Sequence, residues 1–268
     1  MKCKWIKKLT AGIIFLAAVG SLSGCQKAAT SENLFRDIEV NMTSVESAEE
    51  NQIVKLQMGD GDSAISQESN LDIEMIRDPA AVHRKGQQKT NMAGTKETQE
   101  MESYQVEEDG KTVIYSGTDE AWEKNAVEEK ETSSQQTVLF DGLQNLSGAF
   151  SVSQDLATVN KEECFELTGM ISGTQFQETF ADTLKALLGE DSSDLSGWNL
   201  QASEDEENNE ELQQKLNNIK VDCVIDIYRS NILPAKITFD LTDYLKAAGE
   251  ENAQVTSYTL EVTFVSYN

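Results

Sequence analysis

The chain holds one histidine, two prolines and four cysteines in 268 residues, and 22 lysines and arginines stand against 47 aspartates and glutamates. Each scarcity excludes something. One histidine, His83, leaves no second imidazole for a histidine metal cluster, and no serine stands in a nucleophile-elbow setting. Acidic side chains are abundant, but abundance without two carboxylates facing a cleft is no evidence of catalysis. The sequence is therefore read as that of a protein that is not an enzyme, with no cofactor and no metal. A formal net charge of −25 repels nucleic acid and anionic lipid headgroups. With 38% hydrophobic residues and so few prolines, the composition is that of a folded chain rather than a disordered one.

Long apolar runs are also missing, with one exception near the start. Lys2, Lys4, Lys7 and Lys8 precede an almost purely apolar run from Leu9 to Val19, too short to span a bilayer. Small residues and a cysteine follow: Leu22-Ser23-Gly24-Cys25. This stretch resembles a bacterial lipoprotein signal peptide ending in a lipobox. The resemblance implies cleavage between Gly24 and Cys25 and a diacylglyceryl group on the Cys25 sulfur. Two acyl chains hold a protein stably where one holds it marginally. Residues 1–24 are then a leader and 25–30 a tether. The partner so implied is the outer face of the bacterial cytoplasmic membrane, reached through the lipid. The leader carries four lysines and no acid, so the mature chain is more negative still.

Residues 31–268 read as a single domain. Ser31 is a candidate cap for a helix bearing Leu34, Ile38, Met42 and Val45. The period then changes to two, with Val54, Leu56 and Met58 alternating with Ile53, Lys55 and Gln57. Gly59-Asp60-Gly61-Asp62 reads as a hairpin turn. As a calcium loop counted from Asp60 it fails, because Ala64, Ile65 and Leu71 occupy positions 5, 6 and 12. A strand with Leu71, Ile73 and Met75 runs to Asp78-Pro79. Residues 80–107 are polar on nearly every side and read as antiparallel strands, with His83 an exposed strand residue. Turns at Glu108-Asp109-Gly110 and Gly117-Thr118-Asp119 bracket a strand with Val113 and Tyr115, followed by one with Trp122. Leu139, Leu143 and Leu146 predict a second helix.

Phe165, Leu167 and Ile171 then alternate with Cys164, Glu166 and Thr168. Thr174-Gln175-Phe176-Gln177 reads as a capping box, opening a helix with Phe176, Phe180, Leu184, Leu187 and Leu188 on one face and Gly189 at its end. From Glu190 to Glu211 nine residues are acidic and none is lysine or arginine, which predicts a mobile acidic loop entering a short helix with Leu212, Leu216 and Ile219. Strands follow from Val221 to Tyr228 and Ala235 to Leu241. A brief helix from Thr242 precedes a last strand in which Tyr258, Leu260, Val262 and Phe264 share a face. Cys164 and Cys223 fall on opposite faces of strands that could be neighbours, which predicts thiols that stay reduced or bond only weakly, a disulfide needing a bulge to shift the register.

Many consecutive strands and a few amphipathic helices describe an α+β fold: a large curved antiparallel sheet, a half-barrel, with helices on its concave face. Tyr115, Trp122, the run Ile225-Asp226-Ile227-Tyr228, then Leu233-Pro234-Ala235-Lys236, and the final Ser266-Tyr267-Asn268 resemble the LolA/LppX-like superfamily of lipoprotein carriers and envelope lipoproteins. The resemblance implies an apolar cavity under a helical lid, able to hold a lipid or other hydrophobic ligand. Phe165, Leu167, Phe176, Phe180, Leu184, Ile225, Ile227, Leu260 and Phe264 are the candidate ligand-binding residues. The competing reading is a structural or protein-interaction lipoprotein whose same residues are ordinary core.

Overall fold

The computed structural model describes residues 29–59, 64–108, 111–118, 121–127, 140, 142–188, 213–248 and 254–268; at 111, 118, 121, 125–127, 181–188 and 248 it describes the backbone only. The predicted leader 1–24, Cys25, the acidic stretch 190–211, Gly189, Leu139 and the tip at 60–63 lie outside the described residues.

Helix α1 (Ser31–Met42) comes first. Six strands follow: β1 (Ser47–Met58), β2 (Ile65–Ile76), β3 (Ala81–Met92), β4 (Thr95–Glu108), β5 (Lys111–Thr118) and β6 (Ala121–Val127). A 3-10 turn (Leu143–Ala149) leads to β7 (Phe150–Val159), β8 (Glu162–Ser172) and α2 (Gly173–Leu188). The chain ends with β9 (Lys220–Tyr228), β10 (Pro234–Asp240), α3 (Thr242–Ala248) and β11 (Val255–Tyr267). All eleven strands join one open sheet in the order β6-β5-β4-β3-β2-β1-β11-β10-β9-β8-β7. Every pairing is antiparallel, as short connections between sequential strands require. The long bridge from first to last strand fastens the two halves of the chain, and the C-terminal Asn268 exchanges backbone hydrogen bonds with Ser47. This is the curved, unclosed antiparallel sheet expected, with helices on the concave face.

Several local expectations shift. The cap of α1 is Thr30, whose hydroxyl accepts from the Asn33 amide at 3.3 Å. Ser31 is occupied elsewhere, donating to the Ser147 carbonyl at 2.8 Å. The capping box of α2 lies two residues earlier than predicted. The Ser172 hydroxyl accepts from the Gln175 amide at 3.2 Å, and the Gln175 side chain accepts from the Ser172 amide at 3.0 Å. Thr174 instead donates to Asn217 at 2.8 Å. Gly173 decides the choice: a Cβ there would sit 2.7 Å from Ile219, so only glycine lets the helix start this close to the following chain. The helix expected from Leu139 is a 3-10 turn, where Leu143 and Leu146 share a face because three residues make a turn.

The polar stretch makes two long strands. Met92 pairs with Thr95 across Ala93-Gly94, both at positive φ (50° and 86°), the two-residue turn whose twist suits a hairpin. The turn expected at Gly117-Thr118 moves along, since Thr118 still pairs with Ala121. Met58 pairs with Ile65, so the strands flanking Gly59-Asp60-Gly61-Asp62 form the expected hairpin.

Candidate functional site

Alternation puts one side chain in two on the concave face, and in β8 to β11 those positions are apolar. Leu167, Ile225, Ile237, Val262 and Leu260 are buried there with Cys223, Phe239, Tyr258 and Phe264. The helices lay their own apolar faces on this surface: Leu34, Phe35 and Ile38 from α1, Phe176 and Phe180 from α2, Tyr244 and Leu245 from α3. Phe176 and Phe180 stand one turn apart and meet Phe239 edge-on at 5.2 and 4.9 Å between ring centroids, while Phe176 meets Tyr244 at 5.0 Å. Phe140 lies 5.9 Å from Phe264. Phe150 packs edge-on against Phe35 and crosses Gly169, where an added Cβ would sit 2.5 Å from its ring.

Of the nine candidate ligand-binding residues, Leu167, Phe176, Phe180, Ile225, Ile227, Leu260 and Phe264 belong to this one buried cluster. Phe165 packs at its margin, partly buried, with the Arg229 guanidinium 5.5 Å above its ring. Leu184 lies on α2, and its side chain is outside those described.

The next two strands change the character of the concave face. Glu50 and Gln52 of β1 share the facing of Val54 and Leu56, and each is 1% exposed. Glu50 stands between Phe264 on β11 and Ile73 on β2; Gln52 stands between Val262 and Leu71. Neither Glu50 carboxyl oxygen finds a hydrogen-bond partner among the described residues, and neither does the Gln52 amide. One strand further, opposite Ile73, comes Arg84 of β3, which donates to Gln105 at 3.3 Å. Burial raises the Glu50 carboxyl to about 8, against the pull of Arg84. Burial also lowers Arg84, with Glu50 acting the other way. A second apolar cluster of Ala48, Ile73, Met75 and Val82 flanks the polar group. Beyond it the concave positions of β2 to β4 are mainly polar, among them Ser69, Gln88, Gln99 and Ser103. Sequence reading passed over this seam, although Glu50 and Gln52 sit on the same parity as Val54, Leu56 and Met58. That parity was the available signal.

Other candidates sort by face. Cys164 pairs across from Tyr228 on the outer face, whereas Cys223 pairs across from Gly169 on the concave face. Both thiols are free and buried, and burial pushes both upward. His83 is less exposed than expected. It stacks on Tyr104 at 4.2 Å and meets Glu102 at 3.0 Å on the outer face. That hydrogen bond, helped by Lys85, holds the Glu102 carboxyl below its ordinary value. Asp226 on the outer face is raised to about 6 by burial and the nearby Glu166, with Lys236 opposing. Among the described residues no cluster of histidine, cysteine and carboxylate side chains could hold a metal ion, and no helix is long and apolar enough to cross a membrane.

Likeness to solved structures is broad in coverage and low in identity. LprF from Mycobacterium bovis is 10% identical with a TM-score of 0.46, over 88% of this chain and 92% of that one. The lipoprotein LppX from Mycobacterium tuberculosis is 13% identical with a TM-score of 0.46, over 89% and 94%. A LolA superfamily protein from Nitrosomonas europaea is 7% identical with a TM-score of 0.24, over 90% and 94%. No curated protein matches. The family model described as a family of unknown function (DUF6612) matches residues 30–268, and the protein belongs to that family.

Proposed function

We propose that the protein is an extracytoplasmic lipoprotein, anchored by a diacylglyceryl group on Cys25, that binds a hydrophobic ligand on the concave face of its half-barrel. One observation carries the ligand reading. The sheet does not close on itself, and its apolar concave face is sealed by helices instead of strands. A helix resting on a sheet by side-chain contact can lift without breaking any ladder hydrogen bond, whereas a strand cannot. An acyl chain admitted under α2 would replace apolar contacts with apolar contacts and lose its own contact with water. The leader supports the location. Its charge, apolar length, small residues and cysteine fit one reading together, and the acidic surface leaves the lipid, not the protein face, to hold the membrane.

Two measurements test this. Metabolic labelling with a tagged palmitate should mark the wild type and not Cys25→Ser; label retained in the variant refutes the anchor. Native mass spectrometry of the gently purified mature chain should show bound lipid, or uptake of lipid offered over a range of chain lengths. A second reading has its own support. Phe176, Phe180, Ile225 and Leu260 are already fully buried against their neighbours, which is how a filled core looks. If no lipid is carried or taken up, the protein is an interaction lipoprotein without a small ligand.

A further inference from the structure

Resting on the hydrophobic-ligand reading, we propose that Glu50 and Gln52 of β1 seat the hydroxylated head of a neutral single-chain amphiphile, a monoacylglycerol in chemical class, whose tail runs under the helices. The first support is burial without partners. Each residue is 1% exposed, and all four of their side-chain polar atoms lack a hydrogen-bond partner among the described residues. Buried polar groups in folded proteins are nearly always satisfied, so two such residues on one strand mark a place where a polar group belongs. Nearby polar groups are engaged elsewhere. The Tyr267 hydroxyl, close enough to feel the Glu50 charge, donates to the Pro234 carbonyl at 2.7 Å. The Arg84 guanidinium, across Ile73, acts on Glu50 through its charge and donates to Gln105, but forms no hydrogen bond with the Glu50 carboxyl.

The second is the chemistry these atoms call for. Protonated or ionised, the Glu50 carboxyl keeps an oxygen that accepts; the Gln52 carboxamide has an oxygen that accepts and an NH2 group that donates. The seat therefore needs donors and an acceptor together. A carboxylate or ester head brings no donor, and an ammonium head brings no acceptor. A hydroxyl brings both on one atom. Alternate residues of a strand stand about 7 Å apart, so Glu50 and Gln52 serve two hydroxyls of one head rather than compete for one. A glycerol carrying a single acyl chain has two.

The third is the place. The concave neighbours of Glu50 and Gln52 on β11 are Phe264 and Val262, inside the helix-covered cluster. On β2 they are Ile73 and Leu71, beyond which the concave positions turn mainly polar. A head held on β1 stands where the two surfaces meet, and the chain attached to it runs toward Phe264, Leu260 and the rings of α2.

The test is a competition between 1-monooleoylglycerol and methyl oleate, which share the tail and the ester and differ in two hydroxyls. The protein is the full mature chain carrying Cys25→Ser, so that its own acyl chains do not compete, and native mass spectrometry reads which ligand is bound. Monooleoylglycerol should be preferred by at least about tenfold. Glu50→Leu combined with Gln52→Leu should bring the two ligands within about twofold of each other, with methyl oleate still bound. The thermal midpoint of that ligand-free double variant should rise, because two unserved buried polar groups give way to apolar ones. Equal binding of the two ligands by the protein with Glu50 and Gln52 intact overturns the proposal: water then serves the seat, and the hydrophobic-ligand reading stands. A preference kept in the double variant also overturns it, since the hydroxyls are then recognised elsewhere. A lower midpoint in the double variant overturns it too, since Glu50 and Gln52 then serve the fold. If neither ligand binds the protein with both residues intact, both readings fall together.

Discussion

Strands β8 to β11 and strands β2 to β6 belong to one continuous ladder, yet they are stabilised differently. In the first group every second residue is apolar, and α1, α2, α3, the helical stretch 213–218 through Leu216, and a 3-10 turn cover that face. In the second group the corresponding positions of β3 and β4 carry Arg84, Gln88, Gln99 and Ser103; β3 is half-buried along most of its length and β4 is mostly exposed. The backbone ladder runs through both, without a register shift from β2 to β6 and with one in β9 and β10, between Pro234 and Lys236. Hydrogen bonds therefore align the polar strands, but each is worth little net once exchange with water is counted. Apolar burial distinguishes the halves, and it places stability in one and an open, polar surface in the other. β1 is the border, with Glu50 and Gln52 on the polar side of a strand that continues into Val54 and Leu56.

The comparison breaks first if the covered half is not the source of stability. Phe239 sits at the meeting point of Phe176 and Phe180. Phe239→Ala should cost about 3–5 kcal/mol, by transfer plus cavity. Gln99→Ala, on the exposed β4, should stay within about 0.5 kcal/mol. Urea unfolding of both variants checks this, and similar costs at the two sites would refute the division.

A tight fit sharpens it. Gly169→Ala places a Cβ 2.5 Å from the Phe150 ring, which is itself wedged against Phe35. The ring must move, at a cost of about 1–3 kcal/mol. Gly148 has open space where a Cβ would go, with nothing within 4 Å. Gly148→Ala should leave the thermal midpoint nearly unchanged, and an equal drop in both variants would show that the covered half is loosely packed.

The border has its own signature in pH. Glu50 binds its proton more tightly in the folded state, its carboxyl standing at about 8 against 4.5 when free. Between those values the folded state holds more protons than the unfolded one, so stability falls as pH rises. The loss begins above about 4.5, is complete above about 8, and has a limiting slope near 1.4 kcal/mol per pH unit. Asp226, raised to about 6, contributes in the same direction over a shorter span. Glu50→Gln should flatten most of the slope, and chemical unfolding at pH 5, 7 and 9 reads it. An unchanged slope would mean that the Glu50 carboxyl is not buried as described.

How far the sequence revealed this depends on where the information resides. The run Tyr258, Leu260, Val262, Phe264 announced its face because strand alternation is local. The opposite facing of Cys164 and Cys223 followed from the same period of two. The start of α2 did not follow, since Ser172 to Gln175 and Thr174 to Gln177 both fit a capping box, and only the approach of Ile219 to Gly173 decides between them. The seam was half visible. Parity put Glu50 and Gln52 on the concave side, but their burial comes from β11, some two hundred residues away in sequence. In β3 and β4, polar on both faces, no stripe fixes a register, and the Ala93-Gly94 turn does so instead.

The smallest expected effect lies on the outer face of the polar half, where apolar burial is least. Tyr104 stacks on His83 at 4.2 Å with the rings nearly parallel, and Trp122 leans on it at 5.5 Å. Tyr104 is 40% exposed and Trp122 is 44% exposed, so the group covers the sheet without being enclosed. Cross-strand aromatic pairs contribute about 0.2–1 kcal/mol each. Tyr104→Ala should therefore cost about 1 kcal/mol, and His83→Ala less, because its ring loses one stacking partner and one hydrogen bond that water replaces. The two substitutions share one contact, so their effects should not add: the double variant should be more stable than the sum of the singles implies. A double-mutant cycle by urea unfolding measures the difference. Strict additivity would show that the stack contributes nothing, and that the polar half is held by its backbone ladder and its junction with β1.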